Sequence, residues 1–552
     1  MKKVIYVLLV LITSFSLFML LKTYIEKDKL KDAYIKSSSA SAVLLDDNFN
    51  EVSNIIRGTN IKVVNETKNQ KYRKILYNNS SYFIDESNLT NDLKDIVEEN
   101  KMYIRTPVSV YDSLDSSHLI SFIPKGSEVE ILDFDYILEN GMVNKYKIKY
   151  NDIVGYIYGK YTVNTKEEAE NNYDSENTYL IHASRGNTNG GGSAANLDYF
   201  PVEKPKFENN KMPEDVRSLY LNGGVLSDID QYIEIAKQGN INAFVVDIKD
   251  NSAPAYKSPV MEKYSKTNYQ YAINSLENYK GVIKKLKDNG FYVIGRITVF
   301  KDNYYAIDHP ENTIIDKNTG NSFKHNGSYW PSAYSRDVWE FNVELAKEAV
   351  TMMGFNEIQF DYVRFPDRTS SVENNLDFQN DYNEEKAGAI QNFLFYATDE
   401  IHELGAYVSV DVFGESAHNY VSGYGQYWAA ISNVVDVISG MPYPDHFNKY
   451  QYNFKIPVWT VPYDLISYWA KNYVVKQQNL VPTPAIVRTW IQTYDVVKTP
   501  RTTYGVDMVS KEIQALYDSG LSGGFITWNS GSSISKYKEL IPAFKKNYKG
   551  SE

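Results

Sequence analysis

The chain has 552 residues, of which 43% are hydrophobic, so it can form more than one domain with a substantial core. The formal net charge of −11 disfavours nucleic acid as a partner, because binding to phosphates needs a basic surface. The absence of cysteine excludes thiol catalysis, cysteine-ligated zinc and disulfide bonds. The seven histidines form no His-Glu-x-x-His pattern, so a zinc hydrolase is disfavoured and neither a metal nor a cofactor is predicted.

The N-terminus has the pattern of a membrane anchor. Lys2 and Lys3 precede an uncharged run from Val4 to Leu21, whose 18 residues are near the lower limit for spanning a bilayer. No small-x-small cleavage site follows. Residues 1–22 are therefore predicted to be an uncleaved signal anchor of the cell membrane, with the bulk of the chain extracellular. A cleaved signal peptide, which would give a secreted protein, is the alternative.

Two stretches that resemble each other follow a predicted polar stalk over residues 23–40. Residues 56–63 and 124–131 each place a glycine turn before an alternating apolar pattern, which indicates β-structure. Segments 41–95 and 101–163 are therefore predicted to be two copies of one small all-β module. The second copy, with Val154-Gly155-Tyr156-Ile157, resembles the bacterial SH3-like domains of cell-wall proteins. That resemblance implies contact with wall peptide or glycan, and a spacer role is the alternative.

The segment 164–213 is rich in Asn, Glu, Ser and Gly, and it is predicted to be a flexible linker. From residue 214 to 548 the pattern changes. Amphipathic runs stop repeatedly at a glycine, which is a typical helix end, and a nearly continuous apolar run follows, which is typical of a strand covered on both faces. Two of the helices are predicted over residues 338–352, with Ser335 as N-cap, and over residues 390–404.

Eight apolar runs in this region are predicted to be strands. They cover residues 218–221, 243–248, 292–299, 358–363, 407–413, 434–439, 485–491 and 524–528. Eight strands that alternate with helices predict a (β/α)8 TIM barrel over residues 214–548. A doubly wound open sheet is the alternative, but such a sheet usually begins with a glycine-rich phosphate loop, which residues 221–225 do not match.

The carboxyl ends of the strands should form the functional site of a barrel. Asp361 ends the fourth strand, Asp411 lies in the fifth, and Glu415 follows four residues later. Glycoside cleavage needs two carboxyl groups, one as acid and one as nucleophile or base, so these three residues are the predicted catalytic set. For Asp361 the alternative is an ion pair with Arg296 or Arg364, and for Asp411 it is a helix cap.

Other polar and aromatic residues near the strand ends are predicted to bind substrate, since aromatic faces pack against the C–H surface of sugars. These residues are Asp247, Arg296, Arg364, Tyr443, His446, Trp490, Gln492 and Trp528. Tyr329 and Trp330, in the long segment after the third strand, are candidates for a lid over the site.

Several motifs between residues 217 and 540 together resemble one bacterial family of putative glycoside hydrolases. They are Val245–Asp250, Gly295–Asp302, Gly354–Pro366, Val410–Gly414, Met441–Pro444 and Trp490–Gln492. The resemblance implies a barrel similar in layout to the α-amylase-like barrels, in which the strand-four Asp is the nucleophile. Those barrels carry a Glu on strand five, where this chain has Asp411. The family's usual Pro-Ser-His-Tyr after strand six is Pro-Asp-His-Phe here.

The sequence therefore predicts a membrane-anchored extracellular glycoside hydrolase that acts on a cell-envelope or extracellular polysaccharide. Asp361 would be the nucleophile or charge stabiliser, and Asp411 or Glu415 the general acid. The expected partners are the polysaccharide, the cell wall through the β-modules and the membrane, but no nucleic acid. One alternative is a non-catalytic glycan-binding barrel on an SH3-like stalk. Another is a polysaccharide deacetylase, which would need a metal.

Overall fold

The computed structural model describes residues 30–64, 71–170 and 190–549. The chain divides into two compact units, one of residues 1–116 and 123–170 and the other of residues 117–122 and 171–552. The predicted anchor, residues 1–22, lies outside the described residues. Within the described ranges no helix is long and apolar enough to cross a membrane.

Two antiparallel sheets of seven strands each are formed between residues 30 and 163. The first contains β1 (Leu30–Ile35), β2 (Ser41–Leu45), β3 (Glu51–Ile56), β4 (Asn60–Val64), β5 (Tyr72–Tyr77), β6 (Ser80–Asp85) and β7 (Leu89–Thr90). The second contains β8 (Lys101–Ile104), β9 (Val108–Tyr111), β10 (Leu119–Ile123), β11 (Glu128–Phe134), β12 (Lys145–Tyr150), β13 (Ile153–Tyr158) and β14 (Thr162–Val163). Their strand orders are β3-β2-β6-β5-β4-β1-β7 and β10-β9-β13-β12-β11-β8-β14, so each strand of the second sheet takes the place of its counterpart in the first.

The first module begins earlier than the sequence indicates. Strand β1 pairs with β4 and β7, and Ala33 and Ile35 are buried in the core of this sheet. The prediction of a polar stalk is therefore wrong for residues 30–35. A short strand with two buried apolar side chains lacks the long alternation that identifies a strand from sequence alone.

Arg57 joins the two β-modules of the first unit. Its guanidinium is buried and donates from Nε to the carbonyl of Gly141 at 2.6 Å and from Nη1 to the carbonyl of Ser37 at 3.2 Å. Nη1 also pairs with Glu99 Oε1 at 2.6 Å. At Gly141 a Cβ would lie 2.0 Å from the carbonyl oxygen of Ala40, so the two backbones approach too closely for any side chain there.

The second unit is built on a nearly closed parallel sheet of nine strand segments. The strands from here to the C-terminus are β15 (Val216–Leu221), β16 (Ala243–Lys249), β17 (Tyr292–Thr298), β18 (Ile315–Asp316), β19 (Asn321–Ser322), β20 (Lys324–His325), β21 (Ser328–Tyr329), β22 (Glu357–Asp361), β23 (Leu376–Asp377), β24 (Tyr407–Phe413), β25 (Val437–Met441), β26 (Ile486–Val487), β27 (Thr489–Gln492) and β28 (Gly524–Trp528). The order of the barrel-like sheet is β26-β25-β24-β22-β17-β16-β15-β28-β27, and the other five are short strands in the connections.

The seventh predicted strand is split at Arg488. The segment before it, β26, pairs with β25, and the segment after it, β27, pairs with β28. One residue thus joins the two edges of the sheet and nearly closes the barrel. Arg488 is fully buried and donates from Nη1 to Glu357 Oε1 at 2.7 Å, so a cation from the seventh position pairs with an acid from β22 inside the barrel.

Helices alternate with the strands and pack on the outside of the sheet. The α-helices of the described residues are Lys166–Glu170, Ile229–Gln238, Pro259–Tyr264, Lys266–Tyr271, Leu276–Asp288, Asn303–Asp308, Arg336–Met353, Lys386–His402, Trp428–Ser432, Pro462–Trp469, Val475–Gln478, Val506–Asp518 and Ile534–Phe544, with a π-helical segment at Ala470–Val474. The predicted N-cap is confirmed, because Ser335 Oγ accepts from the amide of Val338. Gly354 ends that helix in the left-handed conformation, with φ of 68°.

Residues 190–213 pack against the barrel, so the prediction of a flexible linker is wrong for this part. Leu197 and Tyr199 are buried with apolar residues of two barrel helices. Lys204 Nζ donates to the carbonyls of Asn433 and Val435. Asn210 Nδ2 donates to the carbonyls of Asn356 and Gly405, and Phe207 and Met212 pack on the barrel core. These carbonyls lie just before β22, β24 and β25, so the segment covers the amino end of the barrel.

Candidate active site

Three acidic side chains surround one guanidinium at the carboxyl ends of β16, β17 and β22. Arg296, on β17, is buried and donates from Nη2 to Asp361 Oδ2 at 2.6 Å and from Nη1 to Asp247 Oδ1 at 2.7 Å. Nη1 also lies 3.2 Å from Asp250 Oδ1. The pairing of Asp361 with Arg296, which was the alternative to catalysis, is therefore present. The two hydrogen bonds from the guanidinium fix the orientation of the Asp361 carboxylate at the end of the strand.

Asp361 is the last residue of β22 and lies where the barrel opens. Its carboxylate also accepts from the amide of Tyr362 at 2.6 Å, and 9% of its side chain is exposed. Tyr362 has a φ of 52°, a left-handed conformation that is uncommon for a residue other than glycine. Such strain recurs at functional sites, and here it turns the chain away from the strand directly after the carboxylate.

Asp247 is held between Arg296 and a tyrosine that sequence reasoning missed. Tyr220, on β15, donates its hydroxyl to Asp247 Oδ2 at 2.6 Å. Burial raises the pKa of Asp247 to about 6, although the Arg296 charge opposes the rise. The Tyr220 ring also lies 5.7 Å from the Arg296 guanidinium and 4.8 Å from the ring of Trp528. Tyr220 could have been identified from the sequence, because it lies near the carboxyl end of the first predicted strand, where a barrel places its functional residues.

Asp411, on β24, is fully enclosed in the barrel. Trp490 Nε1 donates to Asp411 Oδ1 at 2.7 Å, whereas Oδ2 has no hydrogen-bond partner in the part of the chain that the structure describes. Burial and then the charge of Asp361 raise the pKa of Asp411 well above its ordinary value, against the opposing hydrogen bond from Trp490. Burial therefore favours the protonated form of Asp411. Trp490 therefore acts as a hydrogen-bond donor to Asp411. Because only 1% of Trp490 is exposed, its ring has no open face for a sugar.

Glu415 lies apart from the Arg296 cluster and is exposed. Its Oε1 accepts from the hydroxyl of Tyr420 at 2.8 Å, and its Oε2 accepts from the hydroxyl of Tyr424 at 3.1 Å. Neither tyrosine was identified from the sequence, because both lie in the loop after β24 and carry no strand-end signal. Of the three predicted catalytic residues, Glu415 is the most accessible and Asp411 the least.

Arg364 packs in an aromatic cluster that includes Trp330, one of the two predicted lid residues. The Arg364 guanidinium lies 4.3 Å from the ring of Phe413 and 4.9 Å from that of Trp330, and Nη1 pairs with Asp367 Oδ1 at 3.1 Å. Trp330 is 2% exposed and packs with the loop strands, so in this conformation it is part of a small core. Tyr329 forms part of β21 and is half-buried.

The remaining predicted substrate-binding residues occupy three different environments. Trp528 is partly exposed, and its ring lies 5.7 Å from the Arg296 guanidinium and 6.3 Å from the ring of the buried Tyr443. The side chain of His446 is 60% exposed at the rim. Gln492 is buried, where its amide group donates to the carbonyl of Tyr494 and accepts from the amide of Asp445. Trp528 is thus the predicted aromatic residue that both lies beside the acidic cluster and is accessible.

In the described residues, no group of three or more His, Asp and Glu side chains is arranged to hold a metal ion.

Gln492 is supported by Glu512, another residue that sequence reasoning missed. Glu512 is buried, and its Oε2 accepts from the backbone amide of Gln492 at 3.0 Å. Its helix position offered no signal, because a single acid on an amphipathic helix usually lies in solvent.

Comparison with known proteins gives one family match and several structural likenesses. Residues 218–534, more than half of the chain, match the family model described as "Putative glycosyl hydrolase domain". A hypothetical protein from Ruminiclostridium thermocellum is 35% identical, with 35% of this chain and 97% of that chain covered and a TM-score of 0.30. The PgaB (BpsB) glycoside hydrolase domain from Bordetella bronchiseptica is 11% identical, with 59% and 99% covered and a TM-score of 0.42.

A β-N-acetylhexosaminidase from Bacteroides fragilis is 15% identical, with 60% of this chain and 65% of that chain covered and a TM-score of 0.41. The search of curated proteins gave no match.

Proposed function

Because the chain belongs to the family described as "Putative glycosyl hydrolase domain", we propose that it cleaves a polysaccharide with Asp361 and a second carboxyl group as the catalytic pair. The observation that supports this most is the contrast between Asp361 and Asp411 on neighbouring strands. Asp361 is paired with a guanidinium, whereas Asp411 is buried, accepts a hydrogen bond from Trp490 and has a raised pKa. Opposite environments for two neighbouring carboxyl groups are the usual basis for dividing base and acid roles.

Asp361 is the proposed nucleophile or charge stabiliser. Arg296 donates to its carboxylate from Nη2 and Nε, and the Asp361 side chain, at the end of β22, is 9% exposed. Glycoside cleavage passes through an oxocarbenium-like transition state, which a carboxylate stabilises either by forming a covalent bond or by its charge. Trp528 provides a partly exposed aromatic surface beside the same cluster for a sugar ring.

Two residues are candidates for the general acid, and a different observation favours each. Burial raises the pKa of Asp411, which favours the protonated form that a general acid needs. Glu415 is exposed and reaches solvent without any movement of the barrel. Asp411 would need an opening of the site to meet a glycosidic oxygen, because it is fully enclosed in this conformation.

The first experiment is a screen of the wild-type chain for release of reducing ends from peptidoglycan, capsule and biofilm polysaccharides. We expect Asp361→Asn to lower kcat by at least about a hundredfold, the smaller end of the range for a group that acts on the reacting atoms. Asp367→Asn is the matched control, because Asp367 lies in the same loop but pairs with Arg364. A glycan that wild type and Asp361→Asn cleave at equal rates would refute the role of Asp361.

A second experiment separates the two candidate acids. A glycoside with a dinitrophenyl leaving group needs little help from an acid, so the variant that lacks the acid should keep its rate on that substrate and lose it on the natural glycan. Asp411→Asn and Glu415→Gln are compared in this way. Equal losses on both substrates for a variant would exclude its residue from the role of general acid.

We place the chain at the outer face of a cell membrane. The support is the apolar run within residues 1–22, together with the sequence Val154-Gly155-Tyr156-Ile157 in the second β-module, which resembles SH3-like domains of cell-wall proteins. The substrate is accordingly a cell-envelope or extracellular polysaccharide. Fractionation of cells that express the full chain, with protease added outside, tests the location. Recovery of protease-resistant chain in the cytosolic fraction would contradict it.

The second candidate function is glycan binding without cleavage. The enclosure of Asp411 and Trp490 favours this reading, because both predicted site residues are then unavailable to a sugar. It predicts that the wild-type chain binds a polysaccharide and releases no reducing ends from it.

A further inference from the structure

A group of half-exposed aromatic rings lies on the loop and helical segments that follow β24 and β25. We call Tyr452, Tyr468, Tyr473 and His418 the tyrosine track. The rings of Tyr452 and Tyr468 are stacked with centroids 4.8 Å apart, and Tyr473 lies 5.4 Å from Tyr452. The imidazole of His418 is 4.3 Å from the Tyr473 ring, and Tyr468 is 38% exposed. The track thus offers ring surface to solvent.

Hydrogen bonds connect the tyrosine track with Glu415. His418 Nε2 lies 2.9 Å from the hydroxyl of Tyr452, and Nδ1 lies 3.2 Å from the hydroxyl of Tyr420. Tyr420 in turn donates to Glu415. The other oxygen of Glu415 accepts from Tyr424, whose ring packs edge-on against Phe413.

Phe413 in turn contacts Arg364, three residues after Asp361. A chain of side-chain contacts therefore links the track with the loop that follows Asp361.

Two uncommon backbone conformations hold the rings of the track in place. Tyr452 and Asn453 have φ values of 56° and 63°, so two successive residues other than glycine are left-handed. Tyr473 lies in the π-helical segment Ala470–Val474, which separates two α-helical stretches. Both features cost free energy that a loop without a function has no need to bear. They converge on the same cluster of rings.

We propose that the tyrosine track is a glycan-binding site that holds units of the polysaccharide away from the cleaved bond. Aromatic faces pack against the C–H surface of sugars, and the hydroxyl and imidazole groups provide hydrogen-bond partners for sugar hydroxyls. The proposal rests on the proposed function, because it takes the bound polymer to be the one that is cleaved. A site of several units favours a long-chain substrate and cleavage within the chain.

The test measures binding apart from cleavage. Full chain that carries Asp361→Asn is titrated with chitohexaose, cellohexaose, laminarihexaose and maltohexaose, and then with the disaccharide of whichever series binds. Tyr468→Ala in the same background should weaken hexasaccharide binding about tenfold, as for the loss of one aromatic contact, and leave disaccharide binding unchanged. Tyr468→Phe should bind like the parent, because it keeps the ring.

Tyr463→Ala is the matched control. Tyr463 lies on the same helix as Tyr468, but its hydroxyl donates to Asp518, away from the track. If none of the four hexasaccharides binds, or if Tyr468→Ala and Tyr463→Ala weaken binding equally, the proposal is overturned. Hexasaccharide binding that depends on Tyr468, in a chain whose wild type cleaves nothing, would support the track and refute only the proposed hydrolase.

Discussion

The enclosed carboxyl group of Asp411 should make the stability of the second unit depend on pH. A free aspartate has a pKa of about 3.9, and burial raises the pKa of Asp411 well above that value. Between the two values the folded state keeps a proton that the unfolded state has released. The free energy of unfolding therefore falls as pH rises above about 4, by up to about 1.4 kcal/mol per pH unit from this one group, until the folded-state pKa is reached.

Asp411→Asn should remove this contribution. The amide oxygen can still accept from Trp490 Nε1, so the main hydrogen bond survives the change. The free energy of unfolding of the variant minus that of wild type should then rise with pH from about 4 upward. The new amide can add a difference that does not depend on pH, and such a difference leaves this slope unchanged. Asp247, whose pKa burial raises to about 6, gives a similar slope below that pH, but it does so in both proteins.

The assay is urea unfolding followed by tryptophan fluorescence at a series of pH values. All seven tryptophans lie between residues 330 and 528, so the signal reports the second unit alone. Asp367→Asn is a control, because this carboxyl group is partly exposed and paired with Arg364. If the curves of wild type and Asp411→Asn stay parallel from about pH 4.5 to 8, Asp411 ionises normally and the reasoning fails.

Three further changes test which contacts stabilise each of the two units internally. Arg296→Lys should destabilise the second unit by about 3–5 kcal/mol, because an ammonium cannot reproduce the geometry of a guanidinium and leaves buried carboxylates unpaired; a urea midpoint equal to that of wild type would refute this. Removal of residues 190–213 from a fragment that begins at 190 should lower its Tm, since this segment covers apolar surface of the barrel, and Leu197→Ala alone should cost about 2–5 kcal/mol of unfolding free energy. An unchanged Tm would show that the segment contributes no stability. Arg57→Ala should cost the first unit about 3–5 kcal/mol by circular dichroism, whereas Arg73→Ala, which breaks a partly exposed pair, should cost at most about 1 kcal/mol; equal costs would contradict the importance of burial.

The strands of the second unit could be predicted from sequence because most of them are covered on both faces. Such strands appear as short, nearly continuous apolar runs between glycines, and β24 and β28 have the bounds that the pattern predicts. The seventh strand could not be predicted as two segments. At the interruption Arg488 pairs with Glu357, 131 residues away in sequence, and local patterns contain no information about such a pair.

The polar segments were the least predictable part of the fold. Residues 190–213 have the composition of a linker, yet Leu197 and Tyr199 are buried. Composition reports the average character of a segment, whereas two or three apolar side chains are enough to bind it to a surface that already exists. The same reason explains β1, whose two buried side chains gave too short an alternation to be identified.

The candidate site was predictable in position but not in depth. Strand ends indicated Asp247, Asp361 and Asp411, and the structure brings Asp247 and Asp361 onto one arginine. A strand's alternation tells which side chains point inward, but not how far below the rim each of them lies. Trp490 therefore looked equivalent to Trp528, although it is enclosed and Trp528 is partly exposed.

The shared guanidinium of Arg296 makes the acidic residues around it interdependent. Replacement of Asp247 would free a donor that can shift toward Asp361, so the effect of a second substitution depends on whether the first has been made. Double-mutant cycles among Asp247, Asp250 and Asp361 should therefore show coupling energies well above the additive limit of about 0.5 kcal/mol. Viable changes to this cluster, by selection or by design, would then have to replace several of its members in concert.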